Sequence, residues 1–369
     1  MSARSTPPFR AEHLGSLIRP ASLIKAREEW RAGKLPREAL RSLEDECIRE
    51  VVKLQERSGL QVISDGEFRK WSWRDLLIDA SDGFSANRNE SDFTFTDFSG
   101  ERRKGNAVPD VVARIRRREM MAPGFDFVKG LTSRTVKATL PAPSVAHFFR
   151  GDKMLDKSPY KGDRAAYLAD VAAIYRQEIA DLAAQGCTYL QIDDVPSAVL
   201  CDPRNAALVK ERGEDPEALI DEYFRLFNES VKDRPAGMTL GVHLCRGNSG
   251  HGQGAGGYDP VAERLFNLPA SIFFLEYDTE RAGGFEPLRH LPKGKFAVLG
   301  IMSTKLKELE AVDEMARKVD AAARFAPKEN LCLSPQCGFA SNYNIDRFTA
   351  DDVERKLTHL VKAATKIWS

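Results

Sequence analysis

The chain of 369 residues is 42% hydrophobic and 30% charged, which is the ordinary balance of a folded globular protein. Its net charge is +1, so nothing in the charge balance favours nucleic acid or an acidic membrane as the main partner. The amino terminus lacks the apolar segment of a signal peptide, and no apolar run approaches the length of a membrane span. We therefore predict a cytoplasmic protein with neither nucleic-acid nor membrane partners, and oligomer formation is left open.

Short apolar runs rich in β-branched residues recur along the chain and predict strands. With a short first strand near residues 13–15, they lie at residues 61–64, 136–140, 188–192, 239–243, 272–276, 296–300 and 330–334. Helices over residues 21–58 are expected to lie across the outside of the fold. Residues 81–130 are rich in Asn, Ser, Asp and Arg, which predicts a long inserted loop region near the mouth.

Helical patterns separate most of the predicted strands. Residues 165–186 are rich in Ala and Leu, follow the helical apolar period and end on Gly186, a residue typical just after a helix. Residues 308–325 and 350–367 show the same pattern, and Thr349 suits the start of the last helix. Alternating strands and helices predict an α/β fold with a buried parallel sheet. Eight such units favour a single-domain (β/α)8 TIM barrel over residues 1–369.

Ionisable and metal-binding side chains follow the ends of five predicted strands. In chain order they are Asp65 and Glu67, Asp193 and Asp194, His243 and Cys245, Glu276, and Cys337. Because the carboxyl ends of barrel strands meet at one mouth, where catalytic residues sit, we expect these side chains to share a single site.

His243 and Cys245 are two residues apart, a spacing that directs both side chains the same way on an extended segment. With Cys337 they form a set of one imidazole and two thiols that suits tetrahedral Zn2+, and Glu276 is a candidate fourth ligand. The alternative is that these are ordinary buried cysteines, which behave as small hydrophobic residues. Two thiolates make a zinc ion electron-rich, which favours activating a bound thiol for alkylation over making hydroxide.

These motifs resemble the catalytic barrel of cobalamin-independent methionine synthase, and more closely its shorter single-barrel relatives. The resemblance extends from His13 to Gly338, and its most specific part is the ordered set of four metal-ligand candidates. It implies a zinc-dependent S-methyltransferase of methionine biosynthesis that acts on homocysteine. The methyl donor would be methyl-folate or a methyl-corrinoid, and a methyl-corrinoid donor would imply a corrinoid protein as partner. The full-length synthases carry a second barrel, and we expect no counterpart of it in this sequence.

The same resemblance implies roles for residues outside the metal set. Glu67 and Asp193 match the carboxylates that hold the substrate amino group, and Gly15 and Ser16 match the turn that receives its carboxylate. Two carboxylates facing an ammonium also make chemical sense without the family. The alternative for Glu67 and Asp193 is a structural ion pair with an arginine such as Arg69.

Three further regions depart from the family or carry an ambiguous pattern. The glycine-rich stretch 246–257 is predicted as a lid from which Arg246 or His251 could reach a substrate, or else as a plain flexible loop. Met302, which we expect to face the donor together with Phe148 and Phe149, stands where the family has a histidine thought to protonate the leaving group. Phe148 and Phe149 correspond to the donor-facing loop, where they could stack on a flat donor or simply anchor the loop.

Other functions fit the sequence less closely. A thiol alkyltransferase of the epoxide and coenzyme M type would keep the metal set but would favour basic residues for a sulfonate. A metal-free decarboxylase of the uroporphyrinogen decarboxylase fold would need arginines and no pair of thiolates. In a non-enzymatic zinc-stabilised scaffold the metal would be closed to ligands, and its removal would unfold the protein.

Overall fold

The computed structural model describes residues 4–96, 101–105, 107–248, 254–343 and 347–369. The strands are β1 (Val62–Ile63), β2 (Ser81–Asn89), β3 (Thr94–Thr96), β4 (Arg102–Lys104), β5 (Val108–Arg117), β6 (Thr135–Val136), β7 (Ala138–Pro141), β8 (Tyr189–Asp194), β9 (Thr239–Leu244), β10 (Ile272–Glu276), β11 (Phe296–Met302) and β12 (Leu331–Pro335). The helices are α1 (Ala21–Arg31), α2 (Arg37–Arg57), α3 (Leu76–Asp79), α4 (Phe125–Lys129), α5 (Val145–Phe148), α6 (Arg164–Ala184), α7 (Pro196–Leu200), α8 (Pro203–Glu211), α9 (Pro216–Val231), α10 (Ala262–Phe266), α11 (Val312–Ala322) and α12 (Ala350–Trp368). In the described part of the chain, no helix combines the length and apolarity that crossing a membrane requires.

The principal sheet is parallel and runs in the order β12, β11, β10, β9, β8, β7. Strands β6 and β7 are separated by Lys137 alone, and β6 pairs with β1, so the parallel series continues past β7. At the other edge Ala11 pairs in parallel with Leu333 of β12. This order, with helices between the strands, is that of the predicted (β/α)8 TIM barrel.

The strands are buried on both faces, as parallel strands are when helices cover the sheet. Their inward side chains form a compact interior cluster made up of Phe9, Leu14, Val62, Tyr189, Ile272, Phe274, Val298 and Cys332. Below the mouth this interior also holds a fully buried ion pair between Lys137 Nζ and Glu12 Oε2 at 3.4 Å. The interior of the barrel, as far as the described residues show it, is therefore a packed core.

Sequence signals located the long helices well. Helix α6 ends at Ala184 and is followed by Gly186 with φ 83°, the left-handed conformation that the terminal glycine predicts. Helix α12 begins after Thr349, whose side chain accepts from the Asp352 N–H while Asp352 caps the Thr349 N–H in return.

The prediction of a loop over residues 81–130 is wrong in its secondary structure. Strands β2 and β5 form an antiparallel pair there, and β3 and β4 form a second one. Irregular register around Phe84 breaks the alternation of inward and outward side chains, so no period of two is visible in the sequence. The first strand is also displaced, because pairing with β12 occurs at Ala11 and not at residues 13–15.

Candidate metal centre and substrate cavity

Strands β9, β10 and β12 bring His243, Cys245, Glu276 and Cys337 together at the carboxyl end of the barrel. His243 lies in β9, Cys245 directly follows that strand, Glu276 ends β10, and Cys337 follows β12. One ligand atom from each residue lies within 4.8 Å of the others. The structure thus assembles the four residues that the sequence singled out as a metal set.

The imidazole of His243 has a free ring nitrogen inside the protein. Its Nδ1 lies 3.4 Å from the Phe274 carbonyl oxygen, whereas the buried Nε2 has no hydrogen-bond partner among the described residues. Burial opposes protonation of this ring, but the Cys337 thiolate and the Asp193 and Glu276 carboxylates outweigh it and raise the pKa of His243 to about 9. The surroundings of the ring therefore favour a positive charge.

The two thiols of the cluster are in direct contact. Cys245 Sγ and Cys337 Sγ are 3.5 Å apart. The hydrogen bond from Cys245, together with nearby His243, lowers the pKa of Cys337 well below its ordinary value despite burial. A thiolate next to an imidazole with an unpartnered nitrogen is a donor set that a borderline-soft cation would satisfy.

Glu276 is held by its own surroundings as well as by the cluster. Its Oε1 accepts from the Arg246 N–H at 2.8 Å, and its Oε2 accepts from Arg281 Nη2 at 2.9 Å. Burial, followed by repulsion from Cys337, raises the pKa of this carboxyl group. Both oxygens already have partners, so Glu276 is the ligand candidate that a fourth group could most readily displace.

A cavity of about 270 Å3 opens directly above the cluster. Its polar lining residues include Ser16, Glu67, Arg74, Asp193, Asn205 and His243, with the thiols of Cys245 and Cys337, and its apolar ones include Trp73, Phe93, Phe148, Phe149, Val195 and Val199. Several polar groups thus share one cavity with aromatic and aliphatic side chains, which is typical of a small-molecule site.

Glu67 is fixed in the cavity wall by a buried network. Its Oε1 accepts from Thr139 Oγ1 at 2.7 Å and from Lys70 Nζ at 3.2 Å. The anticipated structural partner Arg69 instead pairs with Glu44 and Asp45. Gly15 approaches the same network closely, because a Cβ there would lie 2.8 Å from Thr139 Cγ2 and its φ is 118°.

Asp193, in β8, lines the same cavity as Glu67 and is close enough to be affected by its charge. Gln191 Nε2 donates to Asp193 Oδ1 at 2.7 Å and to the Leu14 carbonyl oxygen at 2.8 Å, which links this carboxylate to the turn that contains Ser16. Burial raises the pKa of Asp193 to about 6. The adjacent Asp194 points elsewhere and accepts from the Ser197 N–H and hydroxyl at the start of α7.

The two donor-facing candidates line the cavity in different ways. Phe148 is fully buried and stacks on Phe93 with ring centroids 4.3 Å apart, whereas Phe149 is partly exposed. Met302 was grouped with them, but its side chain is fully buried in the core and does not line the cavity. The reason is that β11 continues through Met302, which places the side chain among packed neighbours.

Arg246 is also placed differently from the expected lid residue. Its side chain is fully buried, its Nη1 donates to the Gly254 carbonyl oxygen at 2.7 Å, and its guanidinium lies 4.0 Å from the Tyr258 ring centroid. These contacts make it an internal support for the loop after β9 and not a group that reaches into the cavity. His251 lies outside the described residues.

Sequence reasoning missed the residues that hold the cavity carboxylates. Lys70, Thr139 and Gln191 are buried polar residues, and each has a partner that is distant in the sequence. A signal existed only for Gln191, because it is two residues before Asp193 and therefore shares its face of β8.

Comparison with known proteins places the whole chain in one family. The model for the catalytic domain of cobalamin-independent synthase matches residues 10–366. The uncharacterized protein YxjG of Bacillus subtilis (strain 168) is 35% identical over 369 residues, covering 99% of this chain and 96% of that protein. A methionine synthase of Pyrococcus abyssi is 25% identical over 356 residues, covering 95% of this chain and 90% of that one.

Solved structures agree with this placement. A Listeria monocytogenes protein classed with the vitamin-B12 independent methionine synthases superposes with a TM-score of 0.75 at 28% identity, covering 99% of this chain and 100% of that one. The family model spans nearly the whole chain, and the barrel and its mouth agree with it. The chain therefore belongs to the cobalamin-independent methionine synthase family and is a methyltransferase of the methionine synthase type.

Proposed function

We propose that the protein is a cytoplasmic, zinc-dependent S-methyltransferase that converts a homocysteine-like thiol into a methionine-like thioether. The observation that carries the proposal is the juxtaposition of two groups of side chains in one cavity. His243, Cys245, Glu276 and Cys337 converge at its base, and the cavity is lined by the Glu67 and Asp193 carboxylates. The first group suits a metal-bound thiol and the second suits the ammonium of an amino acid.

The residues fit a zinc ion in number, chemistry and spacing. The unpartnered Nε2 of His243 and the 3.5 Å contact between Cys245 and Cys337 present nitrogen and sulfur to a shared point. When bound there, zinc lowers the pKa of a coordinated thiol and leaves it nucleophilic at neutral pH. Glu276 is the residue that gives way, since Arg246 and Arg281 can hold its carboxylate away from the metal.

The chain's own residues then orient the amino acid. Glu67 Oε1 is engaged by Lys70 and Thr139, which leaves Oε2 to accept from the substrate ammonium. Asp193 receives the same ammonium from the other side, and Gln191 fixes its direction. The substrate carboxylate lies against the turn at Ser16, because the Gly15 N–H already donates to His13 Nδ1 at 3.2 Å.

Methyl transfer requires the thiolate sulfur to approach the methyl carbon from the side opposite the leaving group. The new sulfur–carbon bond forms as the bond between the methyl carbon and the donor breaks, and the electron pair leaves with the donor. The aromatic wall with Phe93, Phe148 and Phe149 faces the polar base and suits a flat donor such as methyl-folate or a methyl-corrinoid. Excluding water there protects the thiolate from competing protonation.

A thiol alkyltransferase acting on coenzyme M is the second candidate function, because the metal set would serve it equally well. Its sulfonate would call for cations near the base of the cavity. The charged side chains that line the cavity beside the cluster include the carboxylates of Glu67 and Asp193, and Lys70 is turned toward Thr139. The cations near Glu276 are already paired, Arg281 with Glu276 itself and Lys305 with Asp278. This charge distribution favours an amino-acid thiol.

The proposal is tested without knowledge of the donor by replacing the metal with Co2+ and recording its absorption spectrum. We expect homocysteine to add a thiolate-to-cobalt charge-transfer band, and coenzyme M to do so only at much higher concentration. A band of equal strength at equal concentration of the two thiols would favour the alkyltransferase. No change with either thiol would contradict thiol activation altogether.

A further inference from the structure

Two segments border the cavity. We call residues 337–343, which contain Cys337, the metal limb, and residues 67–73, which contain Glu67, the amine-binding limb. A buried arginine, Arg19, contacts both of them. We propose that Arg19 is a positioning residue that couples metal binding at Cys337 to recognition of the substrate amino group at Glu67. This inference rests on the proposed function, since it assumes that Glu67 receives an amino-acid ammonium. Through Arg19, the Glu67 carboxylate is held in position to bind the amino group only when the metal limb is itself held in position.

Arg19 contacts both limbs through its guanidinium. Its Nη2 donates to the carbonyl oxygen of Glu67 at 2.7 Å, and its Nη1 donates to the carbonyl oxygen of Ala340 at 2.9 Å. The residue is 3% exposed, so neither bond has competition from bulk water. Ala340 lies three residues after Cys337, and one planar group therefore sets the distance between the two segments.

Glu67 needs such support because its backbone is strained. It is the one residue other than glycine with a positive φ in the described part of the chain, at 60°. A left-handed conformation is unfavourable for a residue with a Cβ and persists where the surroundings enforce it. The bond from Arg19 to the Glu67 carbonyl oxygen holds this conformation, and with it the direction of the carboxylate.

The two segments also contact each other directly, through hydrogen bonds and a stacked ring pair. The Trp73 N–H donates to the Ser341 carbonyl oxygen, and the Tyr343 N–H donates to the Trp71 carbonyl oxygen, each at 3.2 Å. The Trp71 and Tyr343 rings stack with centroids 3.4 Å apart. These contacts join residues 71–73 to residues 341–343, and Arg19 extends the connection to the backbone of Glu67 itself.

This linkage predicts a reciprocal effect between the two ligands. A metal ion restrains Cys337 and thereby Ala340, while an ammonium restrains Glu67, and Arg19 makes each restraint favourable for the other. Coupling between two sites must act equally in both directions. Metal should therefore tighten binding of an amino acid that never touches the metal, and that amino acid should tighten binding of the metal.

Arg27 provides a matched control. It is also buried, and its guanidinium also holds this turn by donating to the carbonyl oxygens of Phe68 and Arg69. Its remaining partner is Glu44, which belongs to α2 and not to the metal limb. Replacing Arg27 should thus disturb the turn without cutting the link between the limbs.

The experiment measures binding of L-norleucine, which has the amino acid groups but no sulfur, by calorimetry to zinc-loaded and zinc-stripped protein. In the unaltered chain we expect zinc removal to weaken binding by about five- to tenfold. In Arg19→Met this dependence on zinc should shrink to less than about twofold, whereas in Arg27→Met it should persist. Zinc affinity, read by competition with a chromophoric chelator, should respond to norleucine in the same pattern.

Persistence of the full zinc effect in Arg19→Met, or its equal loss in Arg27→Met, would overturn the assignment. Arg19→Lys keeps one donor and serves if the methionine variant does not fold, and it should retain only part of the coupling. If norleucine fails to bind the zinc-loaded unaltered protein, the amino-acid part of the proposed function fails together with this inference. If norleucine binds but the coupling does not pass through Arg19, only the inference fails.

Discussion

Replacing Glu67 by Gln tests the amine clamp with a change of one atom. Glu67 Oε1 already accepts from Thr139 Oγ1 at 2.7 Å and from Lys70 Nζ at 3.2 Å, and an amide oxygen can keep both contacts. The amide nitrogen would then face the substrate ammonium, where it cannot accept a hydrogen bond. The variant should therefore fold normally and lose specifically the charged contact with the amino group.

The size of the loss follows from the kind of contact removed. A hydrogen bond to a charged group is worth about 1.5–3 kcal/mol, and each 1.4 kcal/mol changes a dissociation constant by about tenfold. Because Asp193 remains to hold the ammonium, we expect the lower half of that range. Homocysteine should bind the zinc-loaded Glu67→Gln variant about 10- to 40-fold more weakly than it binds the unaltered chain.

The assay is calorimetric titration with two thiols of equal length. The first is homocysteine, and the second is 4-mercaptobutyrate, which has the same thiol and carboxylate but lacks the amino group. Binding of 4-mercaptobutyrate should change by no more than about twofold in the variant. An equal loss of affinity for both thiols would refute the reasoning, since it would mean that Glu67 supports the shape of the cavity and does not bind the amino group.

Three further predictions concern the aromatic wall, the last helix and the metal. Phe148→Ala should destabilise the fold by about 3–5 kcal/mol, because the ring is fully buried against Phe93, whereas Phe149→Ala should mainly weaken donor binding. Thermal melts and donor titration separate the two effects, and equal destabilisation would argue against a donor-facing ring. Thr349→Ala should cost about 1 kcal/mol in a denaturant titration, since it removes the capping box of α12, and an unchanged midpoint would contradict that role. Chelation should abolish thiol binding while the thermal midpoint falls only slightly, and unfolding on chelation would instead indicate a structural metal.

The barrel could be predicted because its signals are local. Six of the seven strands predicted from residue 61 onward coincide with single observed strands to within two residues, and the seventh, 136–140, spans β6 and β7, since buried parallel strands are continuous apolar runs. The four metal candidates could be grouped because each follows a strand end, and the topology alone then brings them to one mouth. The pair β2 and β5 escaped prediction because its irregular register hides the alternation of side chains.

The residues that arrange the cavity could not be predicted, for a physical reason. In addition to contacting Glu67 and Asp193, Lys70 and Gln191 donate to the backbone carbonyl oxygens of Thr139 and Leu14, and Arg19 donates to that of Ala340. Contacts with backbone carbonyl oxygens carry no requirement on the partner's side chain, so they leave no pattern of residue types to recognise. Met302 and Arg246 were misplaced for a related reason, since chain position near the mouth does not determine whether a side chain turns into the core.

The central claim is that His243, Cys245, Glu276 and Cys337 bind zinc, and metal analysis of the purified protein tests it most directly. We predict about one zinc ion per chain, lost in both Cys245→Ser and Cys337→Ser. Cys201→Ser is the matched control, because Cys201 is buried and donates to the Ser197 carbonyl oxygen away from the cluster, so this variant should keep its zinc. A correctly folded protein that binds no zinc, or equal zinc content in all three variants, would contradict the account.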